Sequence, residues 1–473
     1  MTKLFFYFFL ASFLCFSCKK SDKAKVTVDL KPNIIYIVAD DLGYHELGCY
    51  GQKEILTPHI DQLADEGMKF IQHYAGTSVC APSRSVLMTG LHTGHTPSRG
   101  NKEVNPYGQF QISDKTVTVA ELLHKAGYTT ALFGKWGLGV ENTSGDPQKQ
   151  GFDEFFGYYC QVHAHNSFPE YLYQNGEKVY LSNQVTYLPE DHWTRGLGSY
   201  ATTKIDYSND LFAEKALEFI DNHSENPFFL YLPLTMPHNN GEAPDGFKFE
   251  SPTLEPYEDK EWSYERKSYA AMISRLDEYV GKIVSQLKSN ELEKQTLIIF
   301  TSDNGCAEPQ IFDGSSPLRG MKRDLYEGGI RVPMIAWWPG KIQPASISNH
   351  ISAFWDVLPT FCDLAGIDAP DSIDGISFVP ELTGQSQPQH DYLYWEFHEL
   401  GKKQAVRKGN WKAVRLNVWE NPKNPIELYD LEKDLAEKEN VADKYPEIIE
   451  EMNRIMEEAH NPDSNWPLYE GEF

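Results

Sequence analysis

Positive charge, long apolar runs and paired cysteines are scarce in this sequence, and each shortage excludes a class of protein. Forty-three Lys and Arg residues stand against 68 Asp and Glu, a formal net charge of −25, whereas a nucleic-acid-binding protein normally carries a basic stripe. The apolar run from Leu4 to Phe16 falls short of the roughly 18 residues that span a membrane. Cys49, Cys160, Cys306 and Cys362 show no CxxC or metal-ligand spacing, so we expect buried thiols, with one disulfide as the alternative.

The first residues have the pattern of an export signal. Lys3 precedes the short apolar run, and a small residue, Ser17, stands before Cys18, which is typical of a secretory signal peptide. The stretch ending at Cys18 resembles a loose bacterial lipobox. We therefore predict a signal peptide over residues 1–18, a lipid on Cys18 and a polar tether over 19–30. The protein would be exported to the periplasm or cell surface and touch the membrane only through its lipid; plain secretion is the alternative.

Apolar runs that alternate with helical patterns predict the fold class. Residues 32–38 and 296–302 are nearly continuous β-branched and aromatic runs, as in central strands of a parallel sheet. Residues 269–287 carry apolar side chains at helical spacing. Strands that alternate with such helices predict an α/β protein with a large, mainly parallel sheet covered on both faces.

Acidic residues follow the two central runs directly. Asp40 and Asp41 end the first, and Asp303 and Asn304 end the second. Because ligands of open α/β sheets bind beyond the carboxyl ends of the strands, we expect these side chains at one edge. Crowded carboxylates repel one another, and a hard divalent cation with oxygen ligands removes that cost. The pattern predicts a site for Ca²⁺ or Mg²⁺.

The segment Cys80-Ala81-Pro82-Ser83-Arg84 predicts an anion site. Pro82 suits the first position of a helix, and Thr89-Gly90 suits its end. The free N–H groups and positive dipole at a helix start attract anions, and the Arg84 guanidinium adds planar donors. We therefore expect Cys80 at the amino end of a short helix, facing an anion.

Three further polar side chains follow predicted strands or a glycine-rich loop. Lys135 follows the run at 128–133, His238 follows the run at 227–232, and Lys322 lies in the loop before residues 334–338. On the same edge as the acids they become candidate anion contacts and proton carriers.

The sequence changes character after Gly384. Short alternating runs with a Gly409-Asn410 turn, followed by an acidic helical pattern over residues 445–460, predict an antiparallel sheet with a helix. We therefore predict a catalytic domain over residues 31–384 and a smaller C-terminal subdomain over 385–473.

Together these blocks resemble the type I sulfatases. The matching blocks fall in the family's order: Asp40-Asp41, Cys80 to Arg84, Gly134-Lys135-Trp136, Pro237-His238, Asp303-Asn304-Gly305, and Arg319 to Pro333. The resemblance implies an alkaline-phosphatase-like α/β sandwich. It implies oxidation of Cys80 to formylglycine by a formylglycine-generating or anaerobic sulfatase-maturing enzyme. It also implies that a calcium ion is bound by Asp40, Asp41, Asp303, Asn304 and the modified Cys80. The sulfate group would be contacted by Arg84, Lys135 and Lys322.

The reaction implied by this resemblance is hydrolysis of a sulfate ester. One hydroxyl of the formylglycine hydrate attacks sulfur, and loss of a proton from the other releases sulfate. His238 contacts the ester oxygen and protonates the leaving alcohol. An exported bacterial sulfatase would act on a sulfated carbohydrate. Stacking faces for the sugar are expected among tryptophans, the candidates being Trp136, Trp193, Trp262 and Trp395.

One position departs from the family pattern. The family usually has a histidine where this chain has Gly137. Three explanations stay open: another group, such as His163, His165 or His95, replaces it, elimination runs through a different base, or the enzyme is weakened. The rival functions are a phosphomonoesterase or phosphonate hydrolase of the same superfamily, and a glycan-binding lipoprotein on this scaffold.

Overall fold

The structure is a computed structural model that describes residues 31–102, 104, 109–189 and 197–473. The predicted signal peptide, Cys18 and the tether lie outside the described residues, as does Trp193. Within the described part of the chain, no helix combines the length and the apolar character needed to cross a bilayer.

An eleven-stranded sheet runs through the centre of the molecule. The strands of the chain are β1 (Asn33–Ala39), β2 (Met68–Tyr74), β3 (Thr129–Lys135), β4 (Glu154–Tyr158), β5 (Tyr171–Gln174), β6 (Glu177–Tyr180), β7 (Gln184–Tyr187), β8 (Ser199–Thr203), β9 (Phe228–Pro233), β10 (Thr296–Ser302), β11 (Arg331–Trp337), β12 (Ser346–Ser348), β13 (Ser352–Ala353), β14 (Leu393–Phe397), β15 (Lys403–Lys408), β16 (Trp411–Leu416) and β17 (Ile426–Asp430). In the large sheet the order is β12-β2-β11-β10-β1-β9-β3-β4-β5-β6, with β13 also on β2.

The middle of this sheet is parallel. Strand β1 pairs in parallel with β10 and β9, and β3 pairs in parallel with β9 and β4. Strands β11, β5 and β6 are antiparallel additions. Every residue of β1 and of β10 is buried, as expected for strands covered on both faces. The predicted α/β class with a mixed, mostly parallel sheet is confirmed.

Helices cover both faces of the sheet. They are α1 (Pro58–Asp65), α2 (Cys80–Thr89), α3 (Val119–Lys125), α4 (Ser208–Asn222), α5 (Tyr264–Ser289), α6 (Glu327–Ile330), α7 (Val357–Ala365), α8 (Val379–Leu382) and α9 (Pro446–Glu458). Side chains of β1 alternate between two cores. Tyr36 and Val38 pack with α2, α3 and α7, whereas Ile35 and Ile37 pack with α1, α4 and α5.

The end of the chain forms a second, antiparallel sheet in the order β14-β15-β16-β17, with α9 against it. Gly409-Asn410 makes the turn between β15 and β16, as predicted. Trp395 and Phe397 of β14 join the core of the large sheet, so the two sheets share a packed boundary. The division at residue 384 stays a prediction.

Two local predictions were wrong. Pro82 is the third residue of α2 rather than the first, because the helix already begins at Cys80. The stretch before β11 is not all loop, because Glu327–Ile330 forms one helical turn. The end of α2 is as predicted: Gly90 is left-handed, at φ +69°, and closes the helix.

Candidate active site

The acidic residues meet because their strands are neighbours in register. Ala39 of β1 pairs with Ser302 of β10, so Asp40 and Asp303 leave adjacent strands at the same edge. Asp41 takes a left-handed backbone at φ +67°, and its N–H donates to Asp303 Oδ1 at 3.3 Å. All three side chains are buried.

Asn304 completes this group but is itself incompletely bonded. Its Nδ2 donates to Asp41 Oδ1 at 2.7 Å, while its Oδ1 is buried and has no hydrogen-bond partner. Buried polar atoms are normally bonded, so an unbonded amide oxygen beside three carboxylates fits a cation ligand. Oxygen donors are the ligands of Ca²⁺ and Mg²⁺. The residues present therefore fit a hard divalent cation.

Cys80 begins α2 and Arg84 lies one turn further on, both directly against these acids. Cys80 Sγ is 3.3 Å from Asp40 Oδ1. Arg84 Nη2 is 2.8 Å from Asp303 Oδ2 and 3.5 Å from Asp40 Oδ2. Ser83, which the sequence reasoning did not single out, donates from Oγ to the Asp303 carbonyl oxygen at 2.6 Å and so ties the helix to β10.

Two lysines and a histidine close the other side. Lys135, the last residue of β3, donates to Asp40 Oδ2 at 2.7 Å. Lys322 Nζ is 2.8 Å from Asp41 Oδ2 and 3.1 Å from His238 Nε2. Since His238 Nδ1 faces the Asn239 carbonyl oxygen at 2.6 Å, these contacts fit the neutral tautomer that is protonated at Nδ1.

The structure thus brings together the residues predicted as metal ligands, sulfate contacts or proton carriers. The candidate ligand atoms of Asp40, Asp41, Cys80 and His238 all lie within 4.8 Å of one another. Three carboxylates face three cationic side chains, so their formal charges cancel. A bound divalent cation would leave the site positive, which suits an anionic substrate despite the overall charge of −25.

Burial and neighbouring charge act oppositely on these groups. Burial raises the pKa of Asp40, but the positive charges of Lys135, Arg84 and Lys322 outweigh it and hold that pKa well below its usual range. For Asp303, burial and the Asp40 charge outweigh Arg84 and raise the pKa to about 6. Burial, reinforced by Lys322, lowers the pKa of His238 to about 3. Burial and the Asp40 charge raise the pKa of the Cys80 thiol, so an unmodified thiol here is a weak nucleophile.

The candidate replacements for the family histidine lie in different places. His165 is at the site, since its ring stacks on His238 with centroids 4.9 Å apart and its Nδ1 is 3.0 Å from Glu242. His163 is buried and packs on Tyr171 at 4.6 Å. His95 is not in the site, because it pairs with Asp374 at 2.9 Å beyond the far end of α2.

His95 belongs to a second histidine–carboxylate group, with His92 and Asp374. The Gly94 N–H points at His92 Nδ1 at 3.1 Å, so neutral His92 carries its proton on Nε2, the atom that faces Asp374 at 3.7 Å. The two rings also stack, with centroids 4.1 Å apart. The pair shares one carboxylate, Asp374, to which His95 Nδ1 is hydrogen-bonded at 2.9 Å.

Two expectations about side chains outside the centre are settled. Trp136 and Trp395 are fully buried core residues, so they cannot stack on a sugar, and Trp262 packs against Tyr257 and Phe312. Among the described residues the cysteines form no disulfide, as the spacing indicated, although Cys49 is only partly buried.

The comparisons with known proteins agree with this geometry. The sulfatase family model matches residues 32–367, and the model for the N-sulphoglucosamine sulphohydrolase C-terminal region matches residues 320–462. An N-acetylgalactosamine-6-O-sulfatase of Bacteroides thetaiotaomicron is 30% identical, covering 90% of this chain and 93% of that protein. Human arylsulfatase A is 31% identical, covering 92% and 88%.

Two solved structures share the fold of this chain. The crystal structure of Ps i-CgsB in complex with k-i-k-neocarrahexaose has a TM-score of 0.73 at 29% identity, covering 92% of this chain and 95% of that one. The phosphonate monoester hydrolase of Agrobacterium radiobacter, with a TM-score of 0.60 at 20% identity over 90% and 95% of the two chains, shares the fold alone. The fold is the alkaline-phosphatase-like sandwich that the sequence resemblance implied. The chain belongs to the sulfatase family and is a sulfuric ester hydrolase.

Proposed function

We propose that this enzyme removes sulfate from a carbohydrate, using formylglycine made from Cys80 and a bound calcium ion. The observation that carries the proposal is the meeting of three carboxylates, an unbonded Asn304 amide oxygen and three cationic side chains around residue 80. A site of that composition holds a hard cation and an oxyanion together.

Asp40, Asp41, Asp303 and Asn304 would hold the calcium ion, with the oxidised side chain of residue 80 as a further ligand. The ion would act as a Lewis acid on a sulfate oxygen. The oxidised residue would supply a hydroxyl nucleophile. The folded chain buries Cys80, which is 3% exposed. A maturing enzyme would therefore reach it before the chain folds, as is expected of an exported protein.

The cationic side chains would bind and orient the sulfate group. Lys135 and Lys322 already donate to aspartates of the cluster, and an incoming sulfate can share those donors. Arg84 is held between Asp40 and Asp303 and so adds a fixed positive charge to the site. Fixed positive groups of this kind stabilise charge that develops during transfer. His238, whose Nε2 accepts from Lys322, would face the ester oxygen, and the Lys322 ammonium would supply the proton for the leaving alcohol at this contact.

The carbohydrate class rests on relatives. The Bacteroides protein is named for sulfated N-acetylgalactosamine, and Ps i-CgsB was solved with k-i-k-neocarrahexaose. We propose the same broad class for this chain, together with export and a lipid anchor at Cys18. The rival function is that of a phosphomonoesterase or phosphonate hydrolase, because a phosphonate monoester hydrolase shares the fold of this chain.

The test is to produce the full chain together with a maturing enzyme. The mass of the peptide that contains residue 80 should show the aldehyde, and sulfate release should be measured on defined sulfated mono- and disaccharides. Phosphate esters of the same sugars form the comparison. Unmodified thiol with no sulfate release, or faster release of phosphate than of sulfate, would contradict the proposal.

A further inference from the structure

The position where the family usually has a histidine is filled by another side chain. A Cβ atom built on Gly137 would lie 2.0 Å from Gln161 Nε2 and 3.1 Å from Gln161 Cδ. Gly137 also has φ +85°, a conformation that side chains rarely adopt. Residue 137 therefore cannot carry a histidine while Gln161 stays where it is, and the Gln161 amide occupies that volume.

The backbone places this amide at the active-site edge of the sheet. Lys135 pairs with Tyr158 at the end of β4, and the pairing continues when the Gly137 N–H donates to the Tyr159 carbonyl oxygen at 3.1 Å. Gln161 follows two residues later. The same turn goes on to His165, whose ring stacks on His238. The turn therefore lies beside the proposed sulfate site.

The Gln161 side-chain amide lacks hydrogen-bond partners in the part of the chain that the structure describes. Gln161 is only 5% exposed, and neither its Nε2 nor its Oε1 has a hydrogen-bond partner among the described residues. A buried polar atom without a partner destabilises the fold, because it has lost its hydrogen bonds to water. A side chain with both ends unpaired, at the edge of a reaction site, is well suited to a ligand that supplies the missing partners.

We infer that the Gln161 side-chain amide takes the place of the family histidine and hydrogen-bonds the oxygen atoms of the oxidised residue 80 and of the bound sulfate group. The inference rests on the proposed sulfatase function. An amide offers two N–H donors and one acceptor, which match hydroxyl and sulfate oxygens. Because a neutral amide does not take up a proton, Gln161 orients the reacting group and is not its base.

The decisive variant is Gln161→Met, which keeps the length of the side chain and removes both polar atoms. We expect the turnover number for an aryl sulfate such as p-nitrophenyl sulfate to fall roughly 10²-fold, the scale of losing one oriented donor. The melting temperature should stay the same or rise, because two unpaired polar atoms leave the interior. A role in folding alone would give the opposite, a lower melting temperature with unchanged turnover.

Gln150→Ala is the matched control. Gln150 is also a buried glutamine, but its Nε2 bonds to the Ser113 and Ser144 carbonyl oxygens. It lies near Thr130, at the start of β3, away from Lys135 at the other end. This variant should keep wild-type turnover.

A second measurement follows residue 80 directly. Labelling of the residue-80 aldehyde by an aminooxy probe should be faster in Gln161→Met than in wild type or Gln150→Ala, because the hydrate loses a partner. Turnover of Gln161→Met within twofold of wild type, or an unchanged labelling rate, would overturn the inference. A wild-type enzyme without aldehyde or sulfate release would instead refute the proposed function, so the two failures are distinguishable.

Discussion

Two buried clusters of polar and charged side chains in this molecule differ in how the oxygen atoms of their carboxyl and amide groups are hydrogen-bonded. At the boundary between the two sheets, Glu327 of α6 accepts from Lys412 at 2.9 Å through one oxygen, and from Tyr74 at 2.6 Å and Arg331 at 3.2 Å through the other. At the proposed metal site, Asn304 Oδ1 has no partner. Both Glu327 and Asn304 are fully buried.

The contrast extends to protonation. Burial raises the pKa of Glu327, but Lys412 and Arg331 outweigh it and bring it to about 2, whereas the pKa of Asp303 is raised to about 6. Buried charge by itself therefore does not mark a functional site. The boundary also contains a buried oxygen, Glu437 Oε1, without a hydrogen bond to any described residue, but it faces the Lys412 ammonium at 3.7 Å. What distinguishes the proposed metal site is that the unbonded Asn304 Oδ1 lies among carboxylates, where a cation can complete the set.

Removal of the proposed nucleophile at residue 80 should have the largest effect on sulfate release. Cys80→Ala should lower sulfate release by roughly 10⁴-fold or more, the scale seen when an enzyme loses its nucleophile. The melting temperature should change little, because only one sulfur atom is lost. Sulfate release close to wild type from this variant would remove residue 80 from the reaction.

The cluster of Glu327, Lys412 and Arg331 between the two sheets, the boundary cluster, should affect stability and not turnover. Glu327→Ala leaves Lys412 and Arg331 buried without their carboxylate, which costs about 3–5 kcal/mol. We expect the free energy of unfolding in urea to fall by that amount, while turnover per folded molecule stays near wild type. If turnover fell with no loss of stability, the boundary cluster would have to be treated as part of the site.

Much of this arrangement could be predicted from the sequence, because strand ends can be recognised there. Apolar runs that stop at Asp40 and Asp303 place both residues at the carboxyl edge of a parallel sheet. The register of Ala39 with Ser302, which sets their distance, could not be predicted. It depends on packing of both sheet faces at once.

Contacts between loops could not be predicted. The approach of His165 to His238 and of Gln161 to Gly137 depends on the path of the turn after β4, for which no periodic pattern exists. Burial of single aromatic residues was equally hidden, as Trp136 and Trp395 show. The position of Pro82 within α2 was wrong by two residues, since helix starts vary without a capping side chain.

Within the site, Lys322 should matter more than a neighbouring lysine of similar burial. Lys322→Ala removes a cation that faces Asp41 and His238, so turnover should fall roughly 10²- to 10³-fold. Lys403→Ala is the matched control, because the Lys403 side chain is 12% exposed against 14% for Lys322 and also pairs with an aspartate, Asp324. Equal losses in both variants would indicate a shared effect on the loop and not a contact with sulfate.

Acid should affect the boundary cluster with a predictable sign. Because the folded-state pKa of Glu327 is lowered to about 2 from an ordinary 4.5, its contribution to stability is complete above pH 4.5 and is lost as the pH falls towards 2. That contribution is up to about 3 kcal/mol. The free energy of unfolding of Glu327→Gln should fall less steeply than that of wild type between pH 4.5 and 2. Parallel curves would show that Glu327 is not the titrating group.

Removal of the metal tests whether the cluster around Asn304 binds a cation. A cation that binds only the folded protein stabilises it by about 2.7 kcal/mol at one hundred times its dissociation constant. Chelation should therefore lower the melting temperature of wild type, and calcium should restore it. Asn304→Ala removes the unbonded oxygen, so added calcium should raise its melting temperature less than that of wild type at the same concentration. Glu327→Gln should respond to calcium as wild type does, because both carboxylate oxygens of Glu327 already have protein partners. A wild-type melting temperature that ignores both chelator and calcium would show that the cluster around Asn304 is not a metal site.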